Sequence, residues 1–238
     1  MSAGAGHGRR PVGSDETRAF WDERYRGRDR SGHGEPHPYL QDALASAPPG
    51  RALELGCGDG VSAVWLASRG WTVTAVDVSG VALDAAAERA ERAGVSSRIA
   101  WQRADLRDWT TQETFDLVTA FFLHTPLELN GAAMLARAAA QTRKDGMLLS
   151  VGHYTLPPWA WDPDTEGLLS ASQLATALGV RHPEWRTVVA EERPRTVTDH
   201  DGNAGTVLDA VLHVIRAAPA FTAEAAARAE RRAIASRL

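Results

Sequence analysis

The chain has 238 residues, 44% of them hydrophobic, a formal charge of −4 and one cysteine. That is enough for one generous core and little for two, and the charge gives no wholesale attraction to nucleic acid or acidic membranes. The single thiol, Cys57, excludes an internal disulfide and a cysteine-rich zinc site and fits a reducing compartment.

Residues 1–14 contain two arginines and no apolar run, so they read as a disordered arm and not as a signal peptide. No stretch approaches the roughly 20 apolar residues of a membrane span, which predicts a cytoplasmic protein. "SDETRAFWDERYRGR" opens on a capping serine and two acids, predicting a short leading helix with Trp21 and Tyr25 one turn apart. "YLQDALAS" predicts a second helical piece, closed by Pro48-Pro49-Gly50.

From residue 51 apolar runs of strand length alternate with amphipathic stretches. "RALEL", "WTVTAV", "RIAWQ", "FDLVTAFF" and "GMLLSVG" read as strands; "VSAVWLASRG", "GVALDAAAERAERAG" and "AAMLARAAAQTR" read as helices. Such alternation predicts an α/β fold, a parallel sheet wrapped by helices on both faces. Beyond residue 152 a Trp/Pro-rich loop and the helix "SASQLATALG" precede two strands, "WRTVVAEERPR" and "TVLDAVLHVIRA". The turn formers of "TDHDGNAG" between them predict an antiparallel hairpin. One domain over 15–218 is expected: leading helices over 15–50, a core over 51–152 and a substrate-side region over 153–218. A C-terminal helix follows over 219–238, its arginines reading as a solvated face. The ending Ser236-Arg237-Leu238 comes near a peroxisomal address, but an Ala/Arg-rich tail produces it without one.

The chemistry concentrates in "LELGCGDGVS". Gly56, Gly58 and Gly60 follow the first strand, where an open parallel sheet gathers ligands and the next helix offers unpaired N–H groups. A triphosphate loop needs Gly-Lys-Ser/Thr, and no lysine is near. A dinucleotide fingerprint needs Gly or Ala at position 61, where Val61 stands. Asp77, ending the second strand, sits where a carboxylate accepts ribose hydroxyls in either class of nucleotide-like ligand. Glu54 places negative charge beside the ligand, which repels a pyrophosphate and suits an ammonium group.

"LELGCGDG" with "VTAVDVS" resembles the first two motifs of class I S-adenosylmethionine-dependent methyltransferases. "RADLRDW" resembles the adenine-contacting segment of that family. "FWDERY", "PHPYL", "AVWLASRGWTVTAVDVS" and "GMLLSVGH" resemble the tellurite-resistance and thiopurine methyltransferases that act on small molecules. The resemblance implies a Rossmann-like, doubly wound seven-stranded sheet, mostly parallel with the last strand antiparallel. It implies S-adenosylmethionine as cofactor, S-adenosylhomocysteine as product and in-line methyl transfer to an O, N, S or chalcogen nucleophile of a small molecule. Its implied cofactor residues are Trp21, Glu54, Gly56, Cys57, Gly58, Gly60, Asp77, Val78, Asp105, Leu106 and Phe121. Cys57 reads as a small buried residue, since methyl transfer needs no thiolate.

His124, His153 and His200 follow the fourth strand, the fifth strand and the sixth, and each is a candidate general base. None stands at the short spacing of a metal site, so no metal is expected. Phe122, Trp159 and Trp161 are candidates for the acceptor pocket, with no nucleic-acid or membrane partner expected. A nicotinamide-dependent oxidoreductase or a catalytically silent cofactor-binding protein are the alternatives.

Overall fold

The computed structural model describes residues 13–27, 34–123, 131–157, 159, 168–180, 183–199 and 201–217. Seven strands form one sheet: β1 (Arg51–Leu55), β2 (Thr72–Asp77), β3 (Ile99–Arg103), β4 (Phe115–Phe121), β5 (Thr142–His153), β6 (Trp185–Thr198) and β7 (Ala204–Arg216). Their order is β3-β2-β1-β4-β5-β7-β6. All neighbours are parallel except β7, which runs antiparallel to both β5 and β6. This is the expected sheet, last strand and hairpin included.

Among the described residues six α-helices accompany it: α1 (Ser14–Arg26), α2 (Pro38–Ala43), α3 (Val61–Ser68), α4 (Gly80–Arg92), α5 (Gly131–Ala139) and α6 (Ala171–Ala177). The strands sort their side chains by the two-residue period of a pleated sheet. Ala52, Leu117, Leu149 and Val211 join a cluster with Leu40, Leu66 and Trp71 of the α2–α3 face. Their chain neighbours Leu53, Val118, Leu148 and Leu212 join Leu135 and Leu178 on the α5–α6 face. A strand buried on both sides needs apolar residues at consecutive positions, which is why these runs look continuous in the sequence.

Most element ends shift by one to three residues from the sequence reading, and two of the differences have a clear physical cause. Ser14 is the first helical residue of α1 and not its cap; Gly13 stands at the cap position without a side-chain bond. The helix predicted over "AAMLARAAAQTR" stops at Ala139, and β5 begins at Thr142 instead of Gly146. Thr142 is fully buried and pairs with Phe115, so tertiary pairing at a β-branched residue overrides the helical periodicity. The arm before residue 13 and the tail after residue 217 lie outside the described residues.

Candidate active site

In the sheet order β1 is joined to β2 on one side and to β4 on the other, the point at which chain progression reverses. A cavity of about 840 Å³ opens there, at the carboxyl ends of the strands and beneath α1. It lies at the upper end of the range of roughly 300–1,000 Å³ typical of small-molecule sites.

One end of the cavity is acidic. Glu54 is 3% exposed on β1, and its Oε2 has no hydrogen-bond partner. Burial pushes its carboxyl up to about 8, the Ser62 hydroxyl and Ala63 N–H offsetting only part of that, and Asp77 and Asp59 add to the rise. A buried carboxylate oxygen without a partner is costly unless a cation arrives, so this atom fits an ammonium group. Beside it, Gly58 has φ +54, and a Cβ there would lie 2.5 Å from the Tyr25 hydroxyl oxygen. Only glycine lets the loop pass under α1 at this point.

Asp77 is nearly buried. Its Oδ2 accepts from Gly58 N at 2.8 Å and its Oδ1 from Ser79 N at 2.9 Å. Burial raises its carboxyl despite those bonds. The helix cap falls to Ser79, whose Oγ accepts from Ala82 N. Asp77 is therefore spared for the loop and the cavity wall. Asp105 is gripped by Arg107, with Nη2 2.6 Å from Oδ2 and Nε 3.0 Å from Oδ1. Burial alone would raise its carboxyl; the guanidinium outweighs that and holds it below the ordinary value.

Helix α1 roofs this end through polar contacts. Asp22 Oδ1 accepts from Ser79 Oγ at 2.7 Å and Val81 N at 3.2 Å, so a side chain of α1 engages the first turn of α4. Arg107 Nη2 donates to Thr17 Oγ1 at 3.1 Å. Trp21 and Tyr25 face the cavity with ring centroids 6.3 Å apart.

The other end is built around Asp209 of β7, 1% exposed. Arg195 of β6 clamps it with two bonds, Nε to Oδ2 at 2.5 Å and Nη2 to Oδ1 at 3.1 Å. His37 Nε2 lies 3.4 Å from Oδ2, and His153 Nδ1 3.7 Å from Oδ1. Burial would raise the carboxyl, but His153, His37 and Arg195 together hold it far below the usual carboxylate range. His153 stands directly opposite Asp209 in the β5–β7 register, which fixes the pair. Phe122, just past β4, has φ +50, uncommon for a bulky residue. Its ring lies 4.6 Å from that of His153 and 5.8 Å from that of His37.

Among the residues expected from the sequence, Trp21, Glu54, Gly56, Cys57, Gly58, Asp77, Val78, Asp105, Leu106, Phe121, Phe122, His153 and Trp159 line one cavity. Gly60 does not line it: a Cβ there would meet Ala86 Cβ at 2.7 Å and Trp101 at 2.8 Å, so this glycine lets the loop pack against α4 and β3. Burial raises the Cys57 thiol well above its ordinary value, which keeps it an inert wall atom. His124, Trp161 and His200 lie outside the described residues. In the described part of "TDHDGNAG" Asp199 accepts from Asp201 N and Asn203 N, and Gly205 lies against the Trp159 ring, where a Cβ would come within 2.7 Å of it. Sequence reasoning passed over His37, Arg195 and Asp209. The available signal was Asp209, an acid amid the apolar run "VLDAVL", which must find a partner when buried.

Residues 52–146 match the model of a family described as a methyltransferase domain. Ribosomal RNA small subunit methyltransferase C of Alcanivorax borkumensis is 49% identical over 51 residues, 21% of this chain and 16% of that protein. The chain spans well under two thirds of the length of the curated relatives it matches, 39% of a second such protein from Chromohalobacter salexigens. Among solved structures, TehB from Haemophilus influenzae superposes with a TM-score of 0.63 at 19% identity, over 85% of this chain and 68% of that one. Magnesium protoporphyrin IX methyltransferase from Synechocystis, solved with bound S-adenosylmethionine, gives 0.58 at 17% identity, over 86% and 97%.

Proposed function

We propose that this chain, which has the class I methyltransferase fold and carries a methyltransferase domain over residues 52–146, transfers the methyl group of S-adenosylmethionine to a nucleophile of a small molecule. The observation that carries the reading is the unpartnered, buried Oε2 of Glu54 beside a glycine loop at the sheet's reversal point. A ligand with an ammonium, a carboxylate and a ribose satisfies that atom as a carboxylate; a pyrophosphate brings no cation to it.

Glu54 would receive the ammonium, and the loop from Gly56 to Gly58 the backbone of the amino-acid end. Asp77 would accept ribose hydroxyls on the lone pairs that Gly58 N and Ser79 N leave free. Val78, Asp105 and Leu106 would line the adenine side, Phe121 would border the cofactor, and Trp21 would close over it. When bound, the cofactor supplies a sulfonium-activated methyl group. The chain's own contribution is then to hold two reactants in line and to exclude water, a positioning effect worth roughly 7–11 kcal/mol in well-aligned cases. Phe122, Trp159 and His153 border the space left for the acceptor.

The small-molecule reading is supported by the size of the site, a cavity of about 840 Å³. Calorimetric titration with S-adenosylhomocysteine, with NAD as the control, tests the cofactor. Binding of the former alone is the expected result; binding of NAD alone would assign the loop to hydride chemistry. Methyl transfer from labelled S-adenosylmethionine to any acceptor excludes a silent binding protein.

A further inference from the structure

Asp209 receives more partners than charge neutrality requires. Arg195 alone balances it, yet two imidazoles also turn to the same carboxylate from β5 and from the segment before α2. The two rings are in different hydrogen-bond states. His37 Nδ1 accepts from Tyr39 N at 3.2 Å, so the proton of the neutral ring sits on Nε2, which faces Asp209. Both nitrogens of His37 are thus committed. His153 directs only Nδ1 toward Asp209, and that atom is buried without a hydrogen-bond partner. Its ring geometry turns Nε2 away from the carboxylate, and the residue lines the cavity.

A carboxylate behind Nδ1 favours the tautomer with its proton on Nδ1 and leaves Nε2 as an acceptor. Phe122, held at positive φ, packs its ring on the His153 face and fixes the plane of the imidazole. Arg195 also lies over the Phe122 ring, 5.1 Å from its centroid. The acceptor side of the cavity continues in apolar and aromatic surface from Phe121, Leu156, Pro157 and Trp159. That surface suits a flat apolar body carrying one polar group.

We propose that His153 is the general base of the methyl transfer, oriented by Asp209, and that the acceptor is a phenol-class hydroxyl compound neutral at physiological pH. The inference rests on the methyltransferase reading above. The acceptor oxygen forms its bond to the methyl carbon as the methyl–sulfur bond breaks, and the electron pair of that bond stays on sulfur. The hydroxyl proton passes to His153 Nε2 and from the imidazolium to water after product release. Asp209, His37 and Arg195 are positioning residues: Asp209 faces the base, and His37 and Arg195 hold Asp209.

The first test is nitrogen NMR of ¹⁵N-histidine-labelled protein saturated with S-adenosylhomocysteine. The proton of neutral His153 is expected on Nδ1 and that of His37 on Nε2, with the His153 preference lost in Asp209→Asn. A His153 proton found on Nε2 would overturn the assignment. The second test compares phenol, neutral at pH 7, with pentafluorophenol, an ionised acceptor, in wild type and His153→Gln. Turnover of phenol should fall by about 10²- to 10⁴-fold and that of pentafluorophenol by a few-fold at most. Equal loss with both acceptors, or no turnover of any phenol by protein that binds S-adenosylhomocysteine, would overturn the proposal. Absence of S-adenosylhomocysteine binding would instead overturn the methyltransferase reading itself.

Discussion

Two buried carboxylates serve one cavity, Glu54 in its wall and Asp209 behind the lining residues His37, His153 and Arg195, and their surroundings drive them in opposite directions. Glu54 has an oxygen with no partner, and burial pushes its carboxyl up to about 8. Asp209 is ringed by a guanidinium and two imidazoles and is held far below the usual range. The difference separates a place left open for a charge that comes with a ligand from a scaffold already complete. Burial alone marks neither; the state of the hydrogen-bond partners does.

Breaking the complete end should have the largest effect on the fold. Asp209→Ala leaves Arg195 without its counter-charge between β6 and β7, at a cost of about 3–5 kcal/mol in unfolding free energy. Denaturant titration measures it. The pH dependence has a defined sign: a carboxyl that titrates lower in the folded chain stabilises above its unfolded value near 3.8. That stability is lost as acid is added below it, and Asp209→Asn should flatten this acid limb.

Glu54→Gln sharpens the contrast, because it should weaken the ligand and strengthen the empty fold. Loss of a buried charge partner costs about 2 kcal/mol or more, roughly 30-fold in S-adenosylhomocysteine affinity. In the free protein the native carboxyl keeps a proton that the unfolded chain has released between about 4.5 and 8. Stability therefore falls as pH rises through that window. Thermal unfolding from pH 5 to pH 8 should show this decline in wild type and not in Glu54→Gln. A decline of the same size in both would place it elsewhere.

How legible each end was follows from how each is assembled. Glu54 near the end of β1 and the loop up to Gly60 form one short stretch, and Asp77 ends the very next strand, so spacing and residue type carried that end into the sequence reading. The topology was equally open, since period-two burial on both faces leaves consecutive apolar positions in every central strand. The Asp209 cluster joins residues 37, 122, 153, 195 and 209, which meet only after β7 inserts between β5 and β6. No local pattern encodes that register. Only His153, as a histidine after a strand, and Phe122, as an aromatic after another, were visible, and nothing nearby in sequence joined them to each other or to Asp209. Gly60 shows the opposite case, a glycine legible in the motif whose use in the structure is packing against Ala86 and Trp101.

A smaller effect is expected from the roof. Asp22→Ala removes two acceptor contacts between α1 and the first turn of α4, worth about 1 kcal/mol for a lost cap. Hydrogen exchange should quicken in α1 with little change in global unfolding. Affinity for S-adenosylhomocysteine should drop by a few-fold as Trp21 and Tyr25 lose their fixed position over the cavity.

The most direct measurement is calorimetric titration of the wild-type chain with S-adenosylhomocysteine near pH 7 in buffers of different ionisation enthalpy. Micromolar binding that releases close to one proton, with the release absent in Glu54→Gln, is the expected result. No binding of S-adenosylhomocysteine would contradict the assignment of the acidic end as a cofactor site.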